Sequence, residues 1–170
     1  MSTVLAIDPG NTQSAYVVID TDRRPLWFGK VPNDELRTLL HANWWEWNPD
    51  ATAIEMIASY GMPVGADVFE TCVWIGRFDE TLRRLTRAPE LIKRNPIKVH
   101  HCHSSKAKDS NITQALVDRF APGQPNRGKG TKADPGWFYG FAADVWQAYA
   151  LAVYVADQLE ASPAGHAAGF

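Results

Sequence analysis

The chain has 170 residues, 45% hydrophobic and 21% charged, with a formal net charge of −2. That length fits one domain with a sizeable core, and the mixture is globular rather than disordered. No window approaches about 18 consecutive apolar residues, which excludes a membrane-spanning helix, and two cysteines, Cys72 and Cys102, do not suggest a disulfide framework.

In chain order, the opening MSTVLAID has neither a basic region nor a cleavage signal, so a cytoplasmic protein is expected. Residues 4–7 are short, apolar and β-branched, and read as a strand. Pro9, Gly10 and Asn11 form a turn, and AYVVI at 15–19 reads as a second strand. DTDRR turns the chain again into a third strand at 25–31, completing an antiparallel meander. PNDELRTLLHANWW then reads as a helix, with Asn33 as its N-cap and Asp34 and Glu35 in the first turn, where the helix dipole favours them. Residues 51–57, ATAIEMI, form the fourth strand candidate.

Over 67–85 the apolar positions Val68, Cys72, Ile75, Phe78, Leu82 and Leu85 recur at three and four, a helical stripe. IKVHHCH at 97–103 reads as the fifth strand, and KDSNITQALVDRF as a helix. The Gly-, Pro- and Lys/Arg-rich stretch APGQPNRGKGTKADPG reads as a mobile loop. FAADVWQAYALAVYVADQLE is apolar almost all round, a buried helix. The order is β-β-β-α-β-α-β-α-α, and it predicts an α/β fold with a mixed five-stranded sheet flanked by helices. Residues 1–160 are expected to form the single domain and 161–170 a flexible tail.

Two acids interrupt apolar strands: Asp8 ends the first and Glu55 sits inside the fourth. A third, Asp144, lies in the apolar last helical segment. A charge among apolar residues is costly unless it is paired or binds metal. If the first and fourth strands are neighbours, the first two acids lie side by side, and a divalent cation relieves their repulsion. Three such carboxylates suit Mg²⁺ or Mn²⁺. Taken singly, each has a simpler role: Asp8 capping a turn, Glu55 pairing with a basic residue, Asp144 capping a helix. Residues 1–70 carry 4 Lys/Arg against 10 Asp/Glu, and residues 71–170 carry 13 against 9. That asymmetry fits a cation-binding centre beside a phosphate-attracting face, and equally an uneven solvated surface.

AIDPGNTQSAYVVID resembles the first acidic motif of RuvC-type Holliday junction resolvases. AIEMIASYGMPVGADVFETCVWIGRF, AKDSNITQALVDRF and GTKADPGWFYGFAADVWQAYALAVYVAD resemble, in order, later segments of the phage-borne branch of that family. The resemblance covers roughly residues 4–157. It implies a ribonuclease H-like fold, a homodimer, and Mg²⁺-dependent cleavage of four-way DNA junctions by paired nicks leaving 5′-phosphate and 3′-hydroxyl ends. Asp8 matches the family's first acid, Glu55 its second, and Asp144 the first of its C-terminal acidic pair. Each would be catalytic and would hold metal, two ions to a site. One helical turn beyond Asp144 the bacterial enzymes carry another Asp, and this chain has Gln147. The fourth ligand is therefore open between Gln147 and Asp109. Asp109 stands where the bacterial enzymes place a functional lysine, and it also suits a helix N-cap.

DNA contacts need cations. Lys106 and Lys108 suit phosphates or the leaving-group charge, and Arg127, Lys129 and Lys132 sit in the loop just before the Asp144 helix. Such contacts give affinity with a steep salt dependence. Tyr60 and Met62, in the loop after Glu55, are placed to touch DNA near the metals. Arg77, Arg83, Arg84, Arg87, Lys93, Arg94 and Lys98 form a basic run that reads equally as a solvated face. Trp137, Phe138 and Tyr139 can stack on bases, though packing against the core is favoured. The Trp cluster in NWWEWNP reads as packing or dimer contact. In a strand, HHCH at 100–103 would offer two ligands per face, short of the four of a structural zinc site.

Three other functions fit parts of the pattern. A junction-binding protein with weak nuclease activity fits Gln147. A ribonuclease acting on RNA or hybrids is a near neighbour of the resolvase. An actin-like or sugar-kinase-like phosphate-binding domain also begins with an Asp-x-Gly turn, but needs a second lobe for which 170 residues leave little room.

Overall fold

A computed structural model describes residues 3–85 and 88–162. Arg87 and residues 163–170 of the expected tail lie outside the described residues. Five strands form one sheet: β1 (Val4–Asp8), β2 (Gln13–Ile19), β3 (Pro25–Pro32), β4 (Ala51–Met56) and β5 (Glu90–Lys93), in spatial order β3-β2-β1-β4-β5. β1 to β3 pair antiparallel, while β4 runs parallel to both β1 and β5. The first and fourth strands are thus neighbours, in the register Ala6 to Ala53 and Ile7 to Ile54.

The two-residue period of the strands divides the core. Val4, Ala6, Val17 and Ala53 face α5 (Val145–Ala161), which packs with α3 (Arg94–Cys102) and α4 (Asp109–Phe120) on one side of the sheet. Leu5, Ile7, Val18 and Ile54 face α1 (Asn33–Trp47) and α2 (Ala66–Leu85) on the other. Helix α5 is buried along most of its length, from Val145 to Val153, as its all-round apolar sequence predicts.

One predicted element changes type. Residues 97–103 are not a strand: Arg94–Cys102 is helix α3, and the fifth strand is the preceding Glu90–Lys93. β5 is an edge strand with only Ile92 buried, so it has almost no hydrophobic pattern to read. Pro96 sits in the first turn of α3, where a missing N–H costs nothing. His103 ends the helix in the left-handed region, with its N–H donating to the Val99 carbonyl.

His100 and His101 of HHCH are therefore packing groups, while His103 is exposed. Nε2 of His101 donates to the Ala150 carbonyl of α5 at 2.8 Å, and His100 meets Asp157 at 2.7 Å. Asp157 also takes Arg23 and Arg119, an ion-pair network tying the β2–β3 turn, α3 and α4 to α5. Burial pushes the His101 ring down to about 4 from 6.5, opposed by its hydrogen bond to the Ala150 carbonyl and by Asp157, with His100 and Arg119 acting in the same direction as burial. Between those pH values the unfolded chain binds a proton that the folded chain refuses, so this contribution to stability is lost as pH falls. It amounts to about 3 kcal/mol. Denaturant titrations across that range should show the stability gap between wild type and His101→Gln closing as pH falls; parallel curves would refute it.

Two other expectations change in detail. Pro32, not Asn33, caps α1. The basic loop is folded as a hydrogen-bonded plate: Thr131 N–H donates to Asp134 O, Gly136 N–H to Lys129 O, and Phe138 N–H to Gly128 O at 2.8 Å. Trp137 stacks on Phe120 and donates Nε1–H to the Tyr149 hydroxyl, and Phe138 is fully buried. Both pack, leaving Tyr139 as the exposed member of the trio. In NWWEWNP, Trp44 and Trp47 are buried, whereas Trp45 is 88% exposed.

Candidate active site

The site forms at the end of the sheet where β1 and β4 run out together. One step beyond the Ile7–Ile54 pair, Asp8 and Glu55 come side by side on the face toward α5. Asp144 is the residue immediately before α5, closing the same end, and its carbonyl accepts the N–H groups of Gln147 and Ala148. Asp109 is the first residue of α4, with Lys108 in the cap position. Burial, followed by the negative charges of Glu55 and Asp144, raises the Asp8 carboxyl well above its usual range, and Asp109 adds to this. Burial also raises Glu55, partly offset by Arg94. The carboxylates of four separate elements therefore converge within electrostatic reach of one another.

The turn beside Asp8 is held rigidly. Ser14 Oγ accepts the Gly10 N–H at 3.1 Å and donates to Asn33 Oδ1 at 2.6 Å, while Asn33 Nδ2 donates to the Gly10 carbonyl at 3.0 Å. Both side chains are buried. Gly10 has no substitute, because a Cβ there would stand 2.3 Å from the Gln13 carbonyl oxygen. Asn33 thus positions the Asp8 turn from the start of α1, a role its sequence context disguised as helix capping.

Two cations sit among the acids. Arg94, at the start of α3, sends Nη1 to Glu55 Oε2 at 3.1 Å and Nη2 to both Asp109 Oδ1 and Gln147 Oε1, the last at 2.6 Å. Lys30 of β3 pairs with Asp144. Sequence reasoning placed Arg94 only in a basic run and gave Lys30 no role. Among the described residues no three Asp, Glu, His or Cys side chains are placed to share one metal ion, because Glu55 and Asp109 turn to Arg94 and Asp144 turns to Lys30. The donors themselves are all oxygens, from four carboxylates and the Gln147 amide. That is the chemistry that suits Mg²⁺ or Mn²⁺.

A cleft of about 110 Å³ opens over Asp8, Pro9, Glu55, Tyr60 and Arg94. Tyr60 lines it, while Met62 is exposed in the same loop without lining it. Lys106 and Lys108 are exposed in the turn leading to Asp109. Arg127 and Lys132 project from the basic plate, with Lys129 half-buried. The basic run of α2 is committed elsewhere: Arg83 pairs with Asp79, Arg84 with Glu80, and Arg77 lies over the Trp74 ring.

This sheet, with acids at the ends of its parallel central strands and a buried C-terminal helix across one face, is the ribonuclease H-like fold. Within that fold the chain is similar to RuvC of Thermus thermophilus, at 18% identity over 93% of this chain and 95% of that one, with a TM-score of 0.65. It is also similar to T. thermophilus RuvC in complex with Holliday junction substrate, at 14% identity over 91% and 92% of the two chains, with a TM-score of 0.68. No protein-family model matches the chain, and no curated protein sequence does.

Proposed function

We propose that the chain is a structure-selective DNA endonuclease that resolves four-way junctions by paired, Mg²⁺-dependent nicks. The observation that carries this reading is the convergence of Asp8, Glu55, Asp109 and Asp144 on one end of a RuvC-like fold. Asp8, Glu55 and Asp144, with Asp109 or Gln147, would hold the divalent ions, which would supply an activated water and stabilise the departing 3′ oxygen. Asp8, fixed by the Ser14–Asn33 clamp, provides a rigid ligand at the cleft floor. Glu55 orients the attacking water from the adjacent strand. Lys106, Lys108 and the plate residues Arg127, Lys129 and Lys132 neutralise phosphates on the DNA arms, and Tyr60 contacts the strand at the cleft.

The test is incubation of a synthetic four-way junction with Mg²⁺, alongside duplex, RNA and hybrid controls. Symmetric nicks with 5′-phosphate and 3′-hydroxyl ends, confined to branched DNA, are expected. Tight junction binding without turnover under Mg²⁺ or Mn²⁺ would favour a binding protein. Cleavage of RNA or hybrids in preference would favour a ribonuclease. The actin-like alternative has little support, since the described residues make one sheet without a second lobe.

Paired nicks call for two active sites, and hence a homodimer. Helix α2 offers a surface for it: Phe69 and Val73 are 63% and 53% exposed, Cys72 lies between them, and Gly76 has open space above its Cα. Spacings of three and four put these on one stripe, which suits packing against a second copy. Val73→Glu places a charge in that seam and should weaken self-association by roughly 100-fold. Analytical ultracentrifugation would show a monomer; an unchanged dimer would locate the contact elsewhere.

A further inference from the structure

We propose that Arg94 is the resident cation of the acidic centre and competes with divalent ions for Glu55 and Asp109. The inference rests on the metal-dependent reading above and concerns how that centre is loaded.

Every partner of the Arg94 guanidinium is a candidate metal donor: Glu55 on β4, Asp109 on α4 and Gln147 on α5. None belongs to its own helix. Its side chain is only 20% exposed, so the group lies inside the cluster rather than over it. Asp109 and Gln147 are the two candidates for the fourth ligand, and Arg94 holds both through the same nitrogen. A divalent ion taking Glu55 and either of them requires the oxygens that Arg94 now occupies. Guanidinium and metal would also repel each other at such a separation.

Withdrawal of Arg94 removes one of the two positive charges that pair with the carboxylates. Departure of the arginine therefore strengthens the field that draws in the ions. Its backbone stands at the junction of β5 and α3, and its side chain lines the open cleft beside Asp8 and Tyr60. The arginine thus already stands in the wall of the cleft that a DNA strand would approach. A DNA phosphate arriving there offers a bidentate partner of the geometry arginine prefers. Metal and DNA then load together: the phosphate takes the arginine as the ions take the carboxylates. Free of DNA, the centre stays compensated and binds metal weakly.

The test is Mn²⁺ titration of the full chain without DNA, with free Mn²⁺ read by electron paramagnetic resonance. Arg94→Gln keeps a polar side chain and removes the charge; Arg94→Lys keeps the charge. Arg94→Gln should bind Mn²⁺ roughly tenfold more tightly than wild type, within the usual range for coupled sites, with Arg94→Lys close to wild type. Equal or weaker binding by Arg94→Gln would overturn the proposal and make Arg94 a strut that positions the ligands. Absence of Mn²⁺ binding in wild type and both folded variants would overturn the metal-dependent reading itself, and this inference with it. A second measurement needs no variant. In the wild-type chain, the Arg94 Nε–H resonance should shift as Mg²⁺ is added, and an unmoved signal in a chain that binds Mg²⁺ refutes displacement.

Discussion

Asp8→Asn is expected to abolish the proposed junction nicking while making the metal-free chain more stable to heat. Both effects come from one carboxylate. Asp8 is held out of water with the charges of Glu55, Asp144 and Asp109 acting on it, and its carboxyl is raised well above its usual range. A group with a raised folded-state pKa contributes stability below its unfolded value of 3.8, and that contribution is lost as pH rises through the folded value. Above the unfolded value the folded chain therefore carries a carboxyl whose ionisation its surroundings oppose. Asparagine is nearly isosteric and removes it, so the melting temperature rises, and the gain shrinks as pH falls toward 3.8. Nicking should drop by at least about 10³-fold, the scale on which loss of a principal transition-state stabiliser is felt. Addition of Mg²⁺ narrows the gap, because ligand bound only by the folded state stabilises wild type more than the variant. Thermal melts with and without Mg²⁺, paired with the junction assay, check all three. A variant less stable than wild type without metal, or one that still nicks, would show that Asp8 is not a strained ligand.

That trade of stability for function explains which parts of the molecule were legible in its sequence. β1, β2 and β4 carry alternating or continuous apolar patterns because both faces of the sheet are covered, and α5 is apolar all round because the sheet and two helices enclose it. Asp8 and Glu55 stood out as breaks in those patterns, and acids that contradict their local environment are where function is expected. β5 was missed because an edge strand with one buried residue has no pattern to break, while the β-branched and histidine-rich residues of α3 imitated a strand. Arg94 and Lys30 were missed for a different reason. Each partner of Arg94 lies at least 15 residues away, and Lys30 lies 114 residues from Asp144. Pairing across such separations is set by tertiary packing and leaves no local signature. Asn33 was seen, but its helix-start position suggested capping, whereas its side chain turns back to clamp the Asp8 turn.

The basic plate carries the second large effect, through Phe138. This ring is fully buried and packs against Phe141, Trp146 and Tyr149 at centroid distances of 5.2, 4.6 and 5.4 Å. Its N–H donates to the Gly128 carbonyl, and Gly128, at φ +78°, lies so close that a Cβ there would meet the ring at 2.9 Å and Ala121 Cβ at 2.5 Å. Phe138 is thus the pin that fixes the segment bearing Arg127, Lys129 and Lys132 onto α5. Phe138→Ala opens a cavity and removes three aromatic contacts, which costs about 3–5 kcal/mol. For a chain of this size that corresponds to a loss of roughly 10 °C in melting temperature. Phe138→Leu, which keeps most of the volume, should lose far less. Below its lowered melting point, Phe138→Ala should also bind four-way junctions more weakly, with a shallower dependence on salt as phosphate contacts are lost, while its Mn²⁺ affinity without DNA stays that of wild type. The pairing of readouts is what makes the measurement informative: Phe138 supplies no oxygen donor to the acidic centre, and its proposed link to DNA runs through the plate. Lowered stability with unchanged junction affinity and salt slope would mean that Arg127, Lys129 and Lys132 do not carry the DNA, and that the phosphate contacts lie with Lys106 and Lys108 beside the acidic centre.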